Sequence, residues 1–337
     1  MTRRLVAVLA PEPIRDRMAG MGIRALEMAR ALAREFDVRL LVPNDPAECP
    51  PSDGLDVERI GARGRSIEEA LRGVSAALVA GHSASSLLER APTLPAAVDW
   101  YDPFLVENFR YRDRLGSGVE VHDRRAWDLQ LSRGDFFLCA SEEQRLFYAG
   151  MLVQAGRVDA ALFGHDPSLA SLLAVVPFGA AEAEPADGSA IRAAVGAREG
   201  EPVIYFGGLY DWHDPDAVLD GWGRIRRRFP GCRLLFSANP NPESTPQGAW
   251  DGARARADRD GLTDESVFFL PWAPYRERWA LYAAATLAVC ACRPGLETDL
   301  SYRTRLLDAA AAGLPSVSLN GGALAREIEA AGAGRES

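Results

Sequence analysis

Glu297-Thr-Asp-Leu-Ser-Tyr-Arg-Thr-Arg-Leu-Leu-Asp308, running on through an alanine-rich turn to Gly313-Leu-Pro315, is the stretch on which the reading of this chain turns. An apolar run, residues 286–292, precedes it and another, 316–319, follows, so it reads as a loop opening a helix between two parallel strands. Such a helix start draws anions: its first amides lack intrahelical partners, and the dipole favours negative charge by roughly 0.3–1 kcal/mol. Ser301 is the expected N-cap, with the amides of Tyr302, Arg303 and Thr304 facing the anion. Arg303 and Arg305 bring fixed positive charge suited to phosphate, and Asp308, further along, a carboxylate able to accept hydrogen bonds from sugar hydroxyls.

Outward from this stretch, short apolar strands alternate with amphipathic helices, the pattern of parallel sheets covered on both faces. Strands are expected at 5–9, 38–42, 76–80, 96–99, 136–139 and 175–178, with a helix at 23–35 and helix and connection over 107–133. Residues 179–188, small, acidic and poor in large apolar side chains, mark a break. The alternation then restarts, with strands at 202–206, 233–237, 267–270, 286–292 and 316–319 and helices at 214–228, 249–259, 275–284 and 302–312. The expected architecture is α/β: two doubly wound, Rossmann-like domains, 1–178 and 191–337, joined by a linker at 179–190. Ligands of such sheets bind outside the carboxyl ends of the strands, which places a cleft between two facing domains.

Composition narrows the function. A net charge of −9 argues against broad nucleic-acid binding, and no apolar run reaches the ~20 residues of a membrane span. The basic start of the chain resembles a signal peptide, but its apolar segment stops at Pro11 and Glu12 follows, so a first buried strand is the expectation. All 38 basic residues are arginine, which excludes a Schiff-base or P-loop lysine. Cys49, Cys139, Cys232, Cys290 and Cys292 read as buried free thiols of a reducing cytoplasm. The four histidines form no metal cluster; His82 is a candidate cleft residue, and His122 and His165 read as surface residues. Gly20 and Gly22 lack the third glycine of a dinucleotide fingerprint, and no acidic residue ends the second strand, so a hydride-transfer cofactor is not expected.

Several segments taken together resemble a known family. They are Gly20-Met-Gly22-Ile-Arg, Val98-Asp-Trp-Tyr-Asp-Pro103, Cys139-Ala-Ser-Glu-Glu-Gln144, Val176-Pro-Phe-Gly179, Tyr205-Phe-Gly-Gly-Leu209, Leu270-Pro-Trp-Ala-Pro-Tyr275 and Leu307-Asp-Ala-Ala-Ala-Ala-Gly-Leu-Pro315. In this order they mark successive strand ends, and the chain resembles the retaining GT-B glycosyltransferases, in particular glycosyltransferase family 4. The resemblance implies a metal-independent enzyme of glycan biosynthesis with no cofactor. Such an enzyme moves a sugar from a nucleotide-diphosphate donor, held by the C-terminal domain, to a glycan, lipid-linked or small-molecule acceptor.

The resemblance also implies site residues, and here the chain departs from the pattern. The ribose-binding carboxylate matches Asp308, shorter by a methylene than the usual Glu. Its companion falls on Leu300, so Glu297 or Asp299 must take that role. The family's two diphosphate-neutralising cations match Gly208 and His213, beside Gly207. A relocated cation is therefore expected, Arg303 first and Arg305 second; the bland alternative pairs either with Asp299 or Asp308 on the helix surface. Gly20 and Gly22 are expected to face the donor phosphate and the acceptor, and Trp272 to lie beside the base or in the core. Asp99, Tyr101 and Asp102 are expected to project toward the acceptor, Asp102 equally serving as an N-cap before Pro103. Arg303, Glu297 and Asp102 are the candidate catalytic residues.

Arg110, Arg112 and Arg114, interleaved with Phe104, Phe109 and Tyr111, offer either a solvated helix face or a dock for an acidic or membrane-bound acceptor. The expected location is cytoplasmic, with peripheral contact at the inner membrane face as the second reading. Family members usually continue past Glu327-Ile328, so the C-terminal end reads as shortened, either by truncation or with a partner or second copy covering it. Two alternatives to the transferase stay open: a non-catalytic nucleotide-sugar-binding or scaffold member of the fold, and a sugar-nucleotide epimerase.

Overall fold

A computed structural model describes residues 3–51, 54–239, 241–242 and 245–337; Met1 and Thr2 of the basic N-terminal start lie outside them. The chain forms two compact units, 1–178 and 179–337. The first holds β1 (Leu5–Leu9), β2 (Asp37–Val42), β3 (Asp56–Arg59), β4 (Ala76–Ala80), β5 (Ala96–Asp99), β6 (Phe136–Cys139) and β7 (Leu173–Val175). The second holds β8 (Val203–Gly208), β9 (Arg233–Ser237), β10 (Val267–Leu270), β11 (Leu287–Ala291), β12 (Ser316–Leu319) and β13 (Gly334–Glu336). Each unit has one sheet, in the orders β3-β2-β1-β4-β5-β6-β7 and β10-β9-β8-β11-β12-β13, with every neighbouring pair parallel. Strand order reverses between β1 and β4 and between β8 and β11, the places where ligands of such sheets bind.

All-parallel strands are buried on both faces and so read as continuous apolar runs. In the second unit the two faces separate cleanly by alternation. Ile204, Phe206, Leu234 and Phe236 pack with Leu219, Trp222 and Ala253 on one face. Val203, Tyr205 and Leu235 pack with Trp279, Tyr282 and Ala309 on the other. The expected linker is mostly part of this unit: Ala181 and Ala183 lie against its core, and Ser189–Ala194 is a helix.

Several expected boundaries move. The first helix is Gly20–Leu32, so Gly20 and Gly22 lie in its first turn rather than in a loop. The last strand of the first unit is Leu173–Val175 rather than 175–178. The helix expected at 302–312 is Thr304–Ala311, preceded by a separate short helix, Leu296–Leu300. Edge strands β3 and β13 were not expected; Asp-Val-Glu-Arg and Gly-Arg-Glu have no apolar run, and only pairing with β2 and β12 makes them strands. Of the aromatics interleaved with arginine, Phe104 and Tyr111 are buried and Phe109 is exposed, so that stretch is not a continuous basic and aromatic face. Among the described residues no helix is long and apolar enough to cross a membrane.

Candidate functional site

At the carboxyl end of β8 the ladder to β9 slips between Tyr205 and Gly207, and Gly207 adopts φ +85°. That left-handed backbone favours glycine. The carbonyls of Phe206 and Gly208, on either side of Gly207, both accept hydrogen bonds from Arg305 Nη1, at 3.2 and 2.9 Å. A Cβ at Gly207 would lie 3.4 Å from the same nitrogen. Arg305 is half-buried and, among the described residues, has no carboxylate partner. Its guanidinium thus stands beside Gly208, one of the two positions where the resemblance expects a cation.

Arg303 is placed otherwise. It is 6% exposed, and its Nη2 donates to both oxygens of Glu297, at 2.9 and 3.0 Å. Glu297, 3% exposed, also accepts from the Ser301 hydroxyl at 2.6 Å and the Thr298 hydroxyl at 3.2 Å. The expected free cation is a neutralised, buried ion pair, with Glu297 as its partner rather than Asp299 or Asp308. Ser301 is not an N-cap, because its side chain is spent on Glu297 and the residue before the helix is Arg303, which caps nothing. Tyr302 is buried and Thr304 opens the helix.

Asp308 lies one turn beyond Arg305, on the same side of the helix. Arg278 Nε and Nη2 bond its carboxylate at 3.1 and 3.3 Å, and the Arg278 guanidinium stacks on Tyr275 and Trp279. Burial raises the Asp308 pKa, and Arg278 partly offsets this. Trp272, just past β10, packs its ring on Gly208, where a Cβ would come within 3.1 Å of it. Its buried indole N–H has no hydrogen-bond partner among the described residues. Asn239, just past β9 and 0% exposed, has neither amide atom paired among the described residues.

His213 is fully buried, its backbone in an isolated bridge with Cys292 just past β11. Its Nδ1 accepts the Tyr210 amide at 2.9 Å, which leaves the proton on Nε2, an atom with no partner among the described residues. Burial first, then Arg305 and Arg303, hold its pKa well below 6.5, so it is neutral and cannot replace a lysine. Three buried side chains, Trp272, Asn239 and His213, each with a polar atom unpaired among the described residues, and one cation with no carboxylate partner among them therefore gather at the ends of β8, β9, β10 and β11. Buried polar groups are normally paired, and such exceptions at strand ends are suited to reading a ligand.

In the first unit the close approach made by Gly20 and Gly22 is to the chain itself. A Cβ at Gly20 would lie 2.9 Å from the Tyr101 hydroxyl, and one at Gly22 2.8 Å from Glu12 Oε1. Glu12 Oε1 accepts the amides of Ala19 and Gly22 at 3.2 and 2.6 Å, so a carboxylate of this chain already occupies that helix start. Burial raises the Glu12 pKa against those two hydrogen bonds, with Asp102 adding to the rise. Asp99 is 6% exposed and ion-paired with Arg24, 4% exposed. Pro103 directly precedes the helix Phe104–Asn108, so Asp102 is not its cap.

No protein-family model matches the chain, and no curated protein does. Solved structures do. Over 99% of its length the chain is similar to 86% of a sucrose-phosphate synthase from Thermosynechococcus elongatus, at TM-score 0.66 and 15% identity. The fold is GT-B. The same GT-B likeness extends to WaaG, a glycosyltransferase involved in lipopolysaccharide biosynthesis, at TM-score 0.62 and 14% identity over 98% of this chain and 85% of that one. It extends also to Anabaena HepE in complex with UDP-glucose, at TM-score 0.61 and 15% identity over 94% and 81%.

Sequence reasoning named Gly207, Gly208, His213, Trp272 and Asp308, and they do gather at one end of the second sheet. It ranked Arg303 above Arg305 and missed Asn239, Glu12 and Arg278. The signal for Arg305 was present: it shares a helix face with Asp308, three residues on, whereas Arg303 precedes the helix.

Proposed function

We propose that this protein is a glycosyltransferase that takes a sugar from a nucleotide-diphosphate donor to an acceptor hydroxyl, with the donor on the second unit. The observation that carries the proposal is Arg305, a cation with no carboxylate partner among the described residues, pinned by two carbonyls where β8 ends in Gly207 and Gly208. As the bond from the anomeric carbon to the diphosphate breaks, the electron pair leaves on the diphosphate. A fixed donor aimed at that developing charge is commonly the largest catalytic contribution. Arg305 takes the role first given to Arg303, and Arg303 with Glu297 shapes the loop behind it. Trp272 and Asn239 supply polar atoms for the base and ribose, and Asp308 the ribose carboxylate once Arg278 yields one of its bonds.

We further propose retention of configuration, with no protein nucleophile, and no need of a divalent cation because Arg305 supplies fixed charge. The support is the GT-B likeness, which includes a UDP-glucose complex, together with the motifs at the strand ends. The test is incubation of the full chain with a panel of nucleotide sugars and acceptors, with and without chelator, followed by proton NMR. Release of nucleoside diphosphate with a product of unchanged anomeric configuration is expected. An inverted product refutes retention, conversion of donor with no acceptor present indicates the epimerase, and loss of turnover with chelator refutes metal independence.

A further inference from the structure

Two cysteines that take no part in the donor site stand side by side at the ligand end of the second sheet. Cys290 lies in β11 and Cys292 just past it, and residues two apart in an extended strand share a face. Their sulfurs are 3.9 Å apart, one thiol donating to the other. Both residues are 0% exposed, and both are free thiols. The backbone that carries them is held by its neighbours. Cys290 is in register with Ser318 of β12, the Cys292 amide donates to the Leu319 carbonyl at 2.9 Å, and Asn320 Nδ2 donates to the Cys292 carbonyl at 3.1 Å. His213 forms a further bridge with Cys292.

The spacing decides between two fates of a thiol pair. A disulfide needs the sulfurs at about 2.05 Å, a closure that the paired backbone resists. Metal–thiolate bonds of about 2.3 Å set two sulfurs about 3.8 Å apart at a tetrahedral angle and about 4.6 Å apart in line, so sulfurs 3.9 Å apart are within reach of one bridging ion. Among the described residues no group of three or more His, Cys, Asp and Glu side chains could hold a metal ion. Zinc, which takes four ligands, is badly served by two sulfurs alone; a soft ion satisfied by two thiolates is not. The surrounding charge favours a thiolate. The hydrogen bond from Cys292 pushes the Cys290 thiol down against burial, with Arg305 and Arg303 helping and Glu336 opposing, while Cys292, as the donor, is pushed up.

We propose that Cys290 and Cys292 form a two-coordinate site for a monovalent thiophilic cation, Cu(I). The ion replaces the proton on each sulfur; two protons pass to solvent and no electron is transferred. Two thiolates and one Cu(I) leave a single net negative charge, which Arg305 balances, and burial keeps water off the ion. Residues 293–296, exposed and directly following Cys292, are the way in. The site is independent of the transferase reading and takes no part in turnover.

The test uses the full chain, reduced with a phosphine under argon and titrated with Cu(I) in competition with bicinchoninate. The expected result is one Cu(I) withdrawn per chain, with X-ray absorption at the copper edge showing two sulfur neighbours and no nitrogen or oxygen. Cys290→Ala and Cys292→Ala should each weaken binding by more than about 100-fold, beyond the roughly 10–100-fold cost of losing an outer-shell partner, while Cys139→Ala and Cys232→Ala leave it unchanged. Cys290→Ser and Cys292→Ser repeat the measurement should an alanine variant fail to fold. No withdrawal of Cu(I) by the native chain, or undiminished binding by the Cys290→Ala/Cys292→Ala double variant, overturns the proposal. So does Zn(II) held as tightly as Cu(I), or a Cys290–Cys292 disulfide found by peptide mapping of the air-oxidised native chain.

Discussion

Replacing Arg303 by Met tests whether this arginine is structural. Arg303 and Glu297 are 6% and 3% exposed and meet through two bonds of 2.9 and 3.0 Å. Removing the guanidinium leaves Glu297 buried with only the Ser301 and Thr298 hydroxyls, and breaking a buried pair in this way costs about 3–5 kcal/mol. At about 2–4 °C per kcal/mol for a unit of this size, that is a fall in Tm of roughly 6–20 °C. Changing Glu297→Gln as well removes the stranded charge, so the double variant should be more stable than the sum of the two single losses predicts, by a coupling within about 0.5–3 kcal/mol. Urea and thermal unfolding of the four proteins supply the cycle. A single-variant loss below about 1 kcal/mol, or additive losses, refutes the reasoning. A loss of nucleoside-diphosphate affinity in folded Arg303→Met would refute the division of labour between the two arginines.

Gly188→Ala should destabilise the second unit by about 1–3 kcal/mol in urea unfolding, because its Cβ would land on the backbone of Ala283 and Ala284; Gly179→Ala, with open space, is the neutral control. The buried His213, with its pKa well below 6.5, binds fewer protons folded than unfolded. Its contribution is therefore present above pH 6.5 and lost as pH falls below it, by up to about 1.4 kcal/mol per pH unit, and His213→Asn should flatten that slope. Glu12 has the opposite sign. Its raised pKa means the folded state holds its proton more tightly, so stability falls as pH rises from 4.5 through the folded value. Glu12→Gln should gain on the native chain over that rise; a difference independent of pH would contradict the burial of this carboxylate.

Much of the fold is legible because buried parallel strands are continuous apolar runs: 76–80, 96–99, 136–139, 233–237, 267–270 and 316–319 are strands with those limits. β3 and β13 were illegible because an edge strand is defined by its neighbour's free hydrogen-bonding groups, not by its own side chains. The site divides in the same way. Gly207 and Gly208 announce themselves by residue type, but what Arg303 does depends on Glu297, six residues away across a helix end, and no local pattern states that the two are buried together. Gly20 and Gly22 read as a ligand's clearance until Glu12 and Tyr101 are seen to fill it. Asp123 reads as one more helical acid until His82, far away in sequence, comes against it.

The central claim is that Arg305 faces the donor diphosphate, and calorimetric titration of native chain and Arg305→Gln with a set of nucleoside diphosphates and the matching nucleosides tests it most directly. A hydrogen bond to a charged group is worth about 1.5–3 kcal/mol, so the variant should bind its preferred diphosphate roughly 10–150-fold more weakly and the nucleoside unchanged. Equal diphosphate affinity in the two proteins would contradict the account.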